Sequence, residues 1–244
     1  MNFYAVIIGT EILNARREDK HFKFLQSELL KYGHELFASF IIKDDKELMK
    51  QIYRFIDADE KAVLFSFGGI GSTPDDLTRE IAAEVFTCKE LVRHKTFEQD
   101  IINKFGDEAY PHRIHMSDLP ENADLIFNPI NNMSGFSLNN RLFFVPGFPQ
   151  MAHPMISDVI KKHFSTAKQK YRYTLHAQTS ENTLISLMQQ VPEDVELSSL
   201  PIFKDSKSSV ELSLSGAKNS LVKEQFDIFT KELDKKNIIY QLKT

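Results

Sequence analysis

Short unbroken apolar runs alternate with stretches whose apolar positions recur every three or four residues, and this rhythm organises the first 165 residues. Residues 3–8, Phe-Tyr-Ala-Val-Ile-Ile, read as a strand buried on both faces. Phe24, Leu25 and Leu29 then repeat at helical spacing up to Gly33, a helix C-terminal signal. Residues 36–42 predict a second strand, and 46–56 a helix with Leu48, Met49, Ile52 and Phe55 on one side. Residues 62–67 predict a third strand. Strands alternating with helices imply a parallel sheet covered by helices, which binds ligands beyond the C-terminal ends of its strands. Downstream, Thr73-Pro74-Asp75-Asp76 reads as the start of a helix running to about residue 86, with Thr73 as N-cap and Pro74 in the first turn. A helix over 95–105 follows, then strands over 125–127, 136–138 and 141–145. An Asn139-Asn140 turn joins the last two. The loop 146–149 leads into a helix over 150–163.

The rhythm changes after a polar linker at 165–170. Strand 171–176, helix 180–190, strands 195–203 and 209–215, helix 217–233 and strand 238–242 give a β-α-β-β-α-β order, the split pattern of ferredoxin-like domains. Residues 204–209 read as an exposed hairpin tip. The expected organisation is therefore a three-layer α/β/α domain with a mostly parallel sheet at 1–165, and a small α+β domain at 166–244.

Composition adds limits. Apolar residues make up 42% and charged residues 26%, which suits a folded protein. The net charge of −4, with Lys and Arg spread along the chain, offers no basic stripe for a nucleic-acid backbone. The single Cys88 permits neither an intrachain disulfide nor a thiolate zinc site, and reads as a small apolar residue. Gly9-Thr10-Glu11 cuts the first apolar run too early for a membrane span, so neither membrane nor nucleic-acid partners are expected, and the cytoplasm is the expected location. Of nine glycines, three fall within four residues: Gly68, Gly69 and Gly71.

Three loops would meet at one sheet edge: 9–13, 68–76 and 145–149. In the second, Gly68, Gly69 and Gly71 let backbone N–H groups surround a phosphate or carboxylate, although no Walker or dinucleotide fingerprint is present. Asp75 and Asp76 beside them would either hold a divalent cation that bridges phosphate oxygens or cap the helix dipole. Glu11 would either support a ligand or cation-bound water or serve as a helix-start carboxylate. Lys20, His21 and Arg79 read as surface residues. His112 and His115, with Tyr110 and Arg113, mark an irregular segment near the site and provide too few ligands for zinc.

Gly9-Thr10-Glu11-Ile12-Leu13, the run from Gly68 to Thr78, the stretch from Asn128 to Gly135-Phe136, and Pro146-Gly147-Phe148-Pro149 together resemble the molybdopterin-binding MoaB/Mog superfamily. The most similar branch is the N-terminal region of competence/damage-inducible CinA proteins, itself similar to part of eukaryotic FAD synthases. The resemblance implies Gly68, Gly69, Gly71, Ser72, Thr73, Thr10, Pro146 and Gly147 as phosphate- or ligand-binding residues. It implies Asp75 and Asp76 as metal ligands and, with Glu11, as catalytic residues. It also implies a divalent metal (Mg, Mn or Co), a molybdopterin or nucleotide ligand, and a homodimer. The implied activity is cleavage of a dinucleotide pyrophosphate of the ADP-ribose or FAD type. The alternatives are a non-catalytic molybdopterin-binding module or a molybdopterin adenylyltransferase. Thr10 and Gln150 stand where the family usually carries acids, which removes charge from the site.

Overall fold

The computed structural model describes residues 1–166, 170–204 and 207–243, so the expected linker and hairpin tip lie partly outside the described residues. The chain divides into two compact units, Met1–Ala167 and Lys168–Thr244.

In the first unit, β1 (Asn2–Ile8), β2 (Leu36–Ile42) and β3 (Ala62–Phe67) form where the apolar runs predicted them. The side chains of β1 and β3 alternate between two cores, whereas β2, at the sheet edge, leaves Phe37 and Ile41 exposed. Tyr4, Val6 and Ile8 join one cluster, while Phe3, Ala5 and Ile7 join the other. A strand between two helical layers must be apolar at every position, which is why the pattern is so readable. Between these strands lie α1 (Thr10–Leu13), α2 (His21–Leu30) and α3 (Lys46–Asp57). They are followed by α4 (Thr78–Phe86), β4 (Leu91–Arg93), α5 (Lys95–Phe105), β5 (Asp118–Pro120), β6 (Asp124–Ile126), β7 (Gly135–Leu138), β8 (Leu142–Val145) and α6 (Pro149–Phe164). The sheet order is β2-β1-β3-β8-β7-β6, with β7 antiparallel to both its neighbours and the other pairs parallel. Residues of α3, α4 and α5 pack on one face, and residues of α2 and α6 on the other. Asn139 and Asn140 both take positive φ (54° and 52°), as a two-residue hairpin turn requires. The β4–β5 pair has no counterpart in the sequence expectation.

The largest difference lies between β3 and α4. The helix expected from Thr73 begins at Thr78, with Leu77 before it and no side-chain cap. Residues 73–76 instead close a turn: Asp76 N–H donates to Thr73 O at 3.0 Å, and the Thr73 hydroxyl and N–H donate to Asp76 Oδ2 at 2.6 and 2.8 Å. Asp75 and Asp76 are therefore loop residues and do not occupy the first turn of the helix.

In the second unit, β9 (Tyr171–Ala177), α7 (Ile185–Met188), β10 (Glu196–Lys204), β11 (Lys207–Gly216), α8 (Asn219–Lys235) and β12 (Tyr240–Lys243) form an antiparallel sheet of order β10-β11-β9-β12. This is the split β-α-β arrangement, its core built on Leu175, Leu212, Leu214, Phe226 and Phe229. The helix expected over 180–190 is reduced to a 3₁₀ turn, Glu181–Thr183, and the single turn of α7. Leu184, Leu187, Met188 and Val191 nevertheless pack against the core, while Ile185 is 42% exposed.

Candidate functional site

Parallel register lines up the strand ends. Ile7 pairs with Phe67, Phe67 with Val145, and Ile8 with Ile42. The chain leaves β1 outward to β2 and returns through β3 on the other side of β1, so the sheet reverses its winding between β1 and β3. Such a switch point opens a crevice beyond the strand ends. A cavity of about 570 Å³ occupies it, lined by Glu11, the glycine loop, Ser72, Thr73, Asp75, Asp76, Pro146 and Gly147.

The loop conformation depends on glycine. Gly68 and Gly69 take φ of 103° and 67°, and a Cβ on Gly68 would lie 2.6 Å from the Ile8 carbonyl oxygen. A Cβ on Gly71 would lie 2.5 Å from Asp76 Oδ2. Fully buried Thr78 ties the loop to the start of α4: its hydroxyl donates to Gly68 O at 2.9 Å and its N–H to Gly69 O at 3.0 Å. Gly68 N–H donates to Val145 O at 2.9 Å. The N–H groups of Gly69, Gly71 and Ser72 meet no acceptor among the described residues, which leaves donors for an anion in the cavity.

Carboxylates border these donors. The nearby Thr73 hydroxyl and the Asp75 backbone N–H lower the pKa of the exposed Asp75 carboxyl below the usual carboxylate range. Asp76 is half-buried and accepts both Thr73 donors. Glu11 faces Arg17 at 3.5 Å. Thr10 does not line the cavity; its N–H and hydroxyl donate to Asp44 Oδ2 at 3.0 and 2.9 Å. Among the described residues no three His, Cys, Asp or Glu side chains form a metal-holding group. The donor set thus fits a cation held by one or two carboxylates and by the ligand's own phosphates, the usual mode for Mg²⁺, and does not fit an all-protein cage.

Several residues behave differently from expectation. His21 is 3% exposed, stacks on Phe67 at 4.4 Å and lies 3.2 Å from Gly147 O through Nε2, so it supports the cavity wall from behind. Because a carbonyl can only accept, Nε2 carries the proton, and buried Nδ1 has no partner among the described residues. Burial lowers the His21 pKa, against the raising contacts with Gly147 and Asp19. Arg79 is 7% exposed, and its Nη1 donates to Ile70 O beneath the glycine loop. Lys20 is exposed as expected, whereas Cys88 is exposed at positive φ and plays no part in a core. Asn128 is buried and bonds its own loop at Ile130 and Met133. Asp44 went unnoticed in the sequence, although its place just after the second strand was a usable signal.

These features define an α/β domain with a glycine-lined cavity at the switch point of a mostly parallel sheet. Residues 4–166 match the model of the probable molybdopterin binding domain family, and the chain belongs to that family. Curated proteins similar to it carry the name CinA-like protein. It is 29% identical to a CinA-like protein of Nostoc punctiforme over 162 residues, 64% of this chain and 38% of that protein. It is 27% identical to a CinA-like protein of Desulfotalea psychrophila over 228 residues, 88% of this chain and 54% of that protein. The chain thus spans about half or less of the length of these relatives. The crystal structure of the protein CinA from Thermoplasma acidophilum, described as having unknown function, shares the fold: TM-score 0.60, 24% identity, 67% of this chain and 98% of that one. No helix among the described residues is long and apolar enough to cross a membrane.

Proposed function

We propose that the first unit binds a phosphorylated pterin or adenine nucleotide and hydrolyses a dinucleotide pyrophosphate of the ADP-ribose or FAD type with a divalent metal. The observation that carries this reading is that Gly69, Gly71 and Ser72, whose N–H groups meet no acceptor among the described residues, line a cavity that Glu11, Asp75 and Asp76 also line. The N–H groups would hold and orient phosphate oxygens. Asp75, its carboxyl held below the usual range by the donors beside it, and Asp76 would hold the cation. When bound, a divalent cation supplies charge neutralisation at phosphate and a more acidic water. Glu11 would orient that water. Water oxygen bonds to one phosphorus as the bridging P–O bond breaks, so ADP-ribose yields AMP and ribose 5-phosphate.

The test is incubation of the full chain with ADP-ribose or FAD and Mg²⁺, Mn²⁺ or Co²⁺. Metal-dependent AMP release is expected; its absence beside an active control enzyme removes the reading. A second reading, binding without turnover, is favoured by Thr10, which occupies the neighbouring Asp44 and brings no charge of its own. Ligand stabilisation that is independent of metal and yields no product would select it. Light scattering on the purified chain tests the homodimer that the family likeness suggests.

A further inference from the structure

The irregular segment after α5 carries polar and aromatic groups that the cradle does not use. It forms two 3₁₀ turns, Gly106–Ala109 and Arg113–Ser117. Tyr110, His112 and Arg113 line a second cavity of about 740 Å³, together with Ser72, Thr73 and Arg79. Ser72, Thr73 and Arg113 also line the first cavity, so the turn at 72–73 and the Arg113 side chain are common walls.

The chemistry of this second cavity is distinct. Arg79, more than nine-tenths buried, has an Nε without a partner, and no carboxylate among the described residues is in ion-pair contact with it. A buried guanidinium with a spare donor is costly until an acceptor meets it. Arg113 is fixed over the Phe105 ring at 4.5 Å and bonded to Glu108 at 2.6 Å, and His115 is bonded to Asp118 at 2.8 Å. Tyr110, 56% exposed, and exposed His112 make no side-chain hydrogen bond to the described residues. The cavity therefore offers a buried cation, a free phenol ring for stacking and a free imidazole for hydroxyls, with the phosphate cradle just across its wall.

We infer that this cavity is a second half-site, taking the distal nucleoside of a dinucleoside diphosphate whose phosphates lie on the glycine loop. The inference rests on the nucleotide reading above and adds where the second half goes. A mononucleotide fills the cradle and one cavity; a dinucleotide reaches both.

The test compares diadenosine diphosphate with ADP by titration calorimetry on the full chain, in EDTA and again with Ca²⁺, for the wild type, Tyr110→Ala and His112→Ala. Both side chains are exposed, so thermal midpoints should stay at the wild-type value. Tyr110→Ala is expected to weaken diadenosine diphosphate on the order of tenfold, as loss of one base–aromatic stack does, with a smaller loss for His112→Ala. ADP binding should change less than about twofold, within the spread of surface substitutions. Equal losses for both compounds, or no loss for either, overturn the half-site while leaving the nucleotide reading in place. Failure of the wild type to bind either compound overturns both.

Discussion

Thr78 offers the sharpest test of how the cradle is held. Its hydroxyl donates to Gly68 O at 2.9 Å in a fully buried position, and the buried Tyr53 hydroxyl nearby lies 2.8 Å from Ser66 Oγ. Thr78→Val keeps the branched shape and removes one oxygen, which leaves the buried Gly68 carbonyl without that donor. An unsatisfied buried polar group costs about 1–3 kcal/mol, which for a domain of this size lowers Tm by roughly 3–10 °C. Thr78→Ser, which keeps the oxygen, should recover most of this. Tyr53→Phe leaves the bond from Thr78 to Gly68 intact, so it should destabilise the fold yet change ligand affinity less than about twofold. Calorimetric melting and ADP-ribose titration of the three variants provide the readout. If Thr78→Val melts with the wild type and binds equally well, the hydroxyl does not hold the loop. If Tyr53→Phe weakens binding as much as Thr78→Val, the effect belongs to the core and not to this bond.

Gly68→Ala should abolish ligand-induced thermal stabilisation, because its Cβ would meet the Ile8 carbonyl, a backbone atom that cannot swing away; an unchanged ligand shift would refute the strained-cradle argument. Burial keeps His21 and His153 neutral in the folded protein, with His153 lowered to about 4 by burial and by His21. As pH falls below about 6.5, the unfolded chain therefore binds more protons than the folded one, and stability declines between there and about pH 4. His153→Phe should flatten the melting temperature over that window, and a profile parallel to the wild type would count against the burial argument. Asp75→Asn should remove Mg²⁺-dependent stabilisation by ADP-ribose while sparing the metal-free part. Loss of both parts would show that Asp75 shapes the loop and does not hold a cation.

Much of the fold was legible because its central strands are covered on both faces. The runs at 3–8 and 62–67 had to be apolar throughout, and no helix of that length would read the same way between glycine and polar breaks. The β4 and β5 strands, three residues each, are too short to show a period. Thr73-Pro74-Asp75-Asp76 satisfied every local rule for a helix start, yet the helix begins at Thr78 because Thr78 bonds Gly68 and Gly69 across the loop. Asp44 and Asp45 look alike in the chain. Asp45 caps α3 through Leu48 N–H at 2.9 Å, whereas Asp44 turns to Thr10, thirty-four positions away.

The chain's own order of apolar runs and turns determined two compact units, a mostly parallel sheet and a glycine loop beyond the C-terminal ends of its strands, because period and turn chemistry are local properties. Tertiary structure decided which neighbours those loops acquire. His21 and Arg79, which read as surface residues, are buried beside the site, and Cys88, which read as a small apolar residue, is exposed. Burial is set by what packs from distant segments, and no window of sequence contains that information. The three glycines that stood out by clustering owe their necessity to the Ile8 carbonyl, the Thr78 hydroxyl and the Asp76 carboxylate, the groups a Cβ at each would strike.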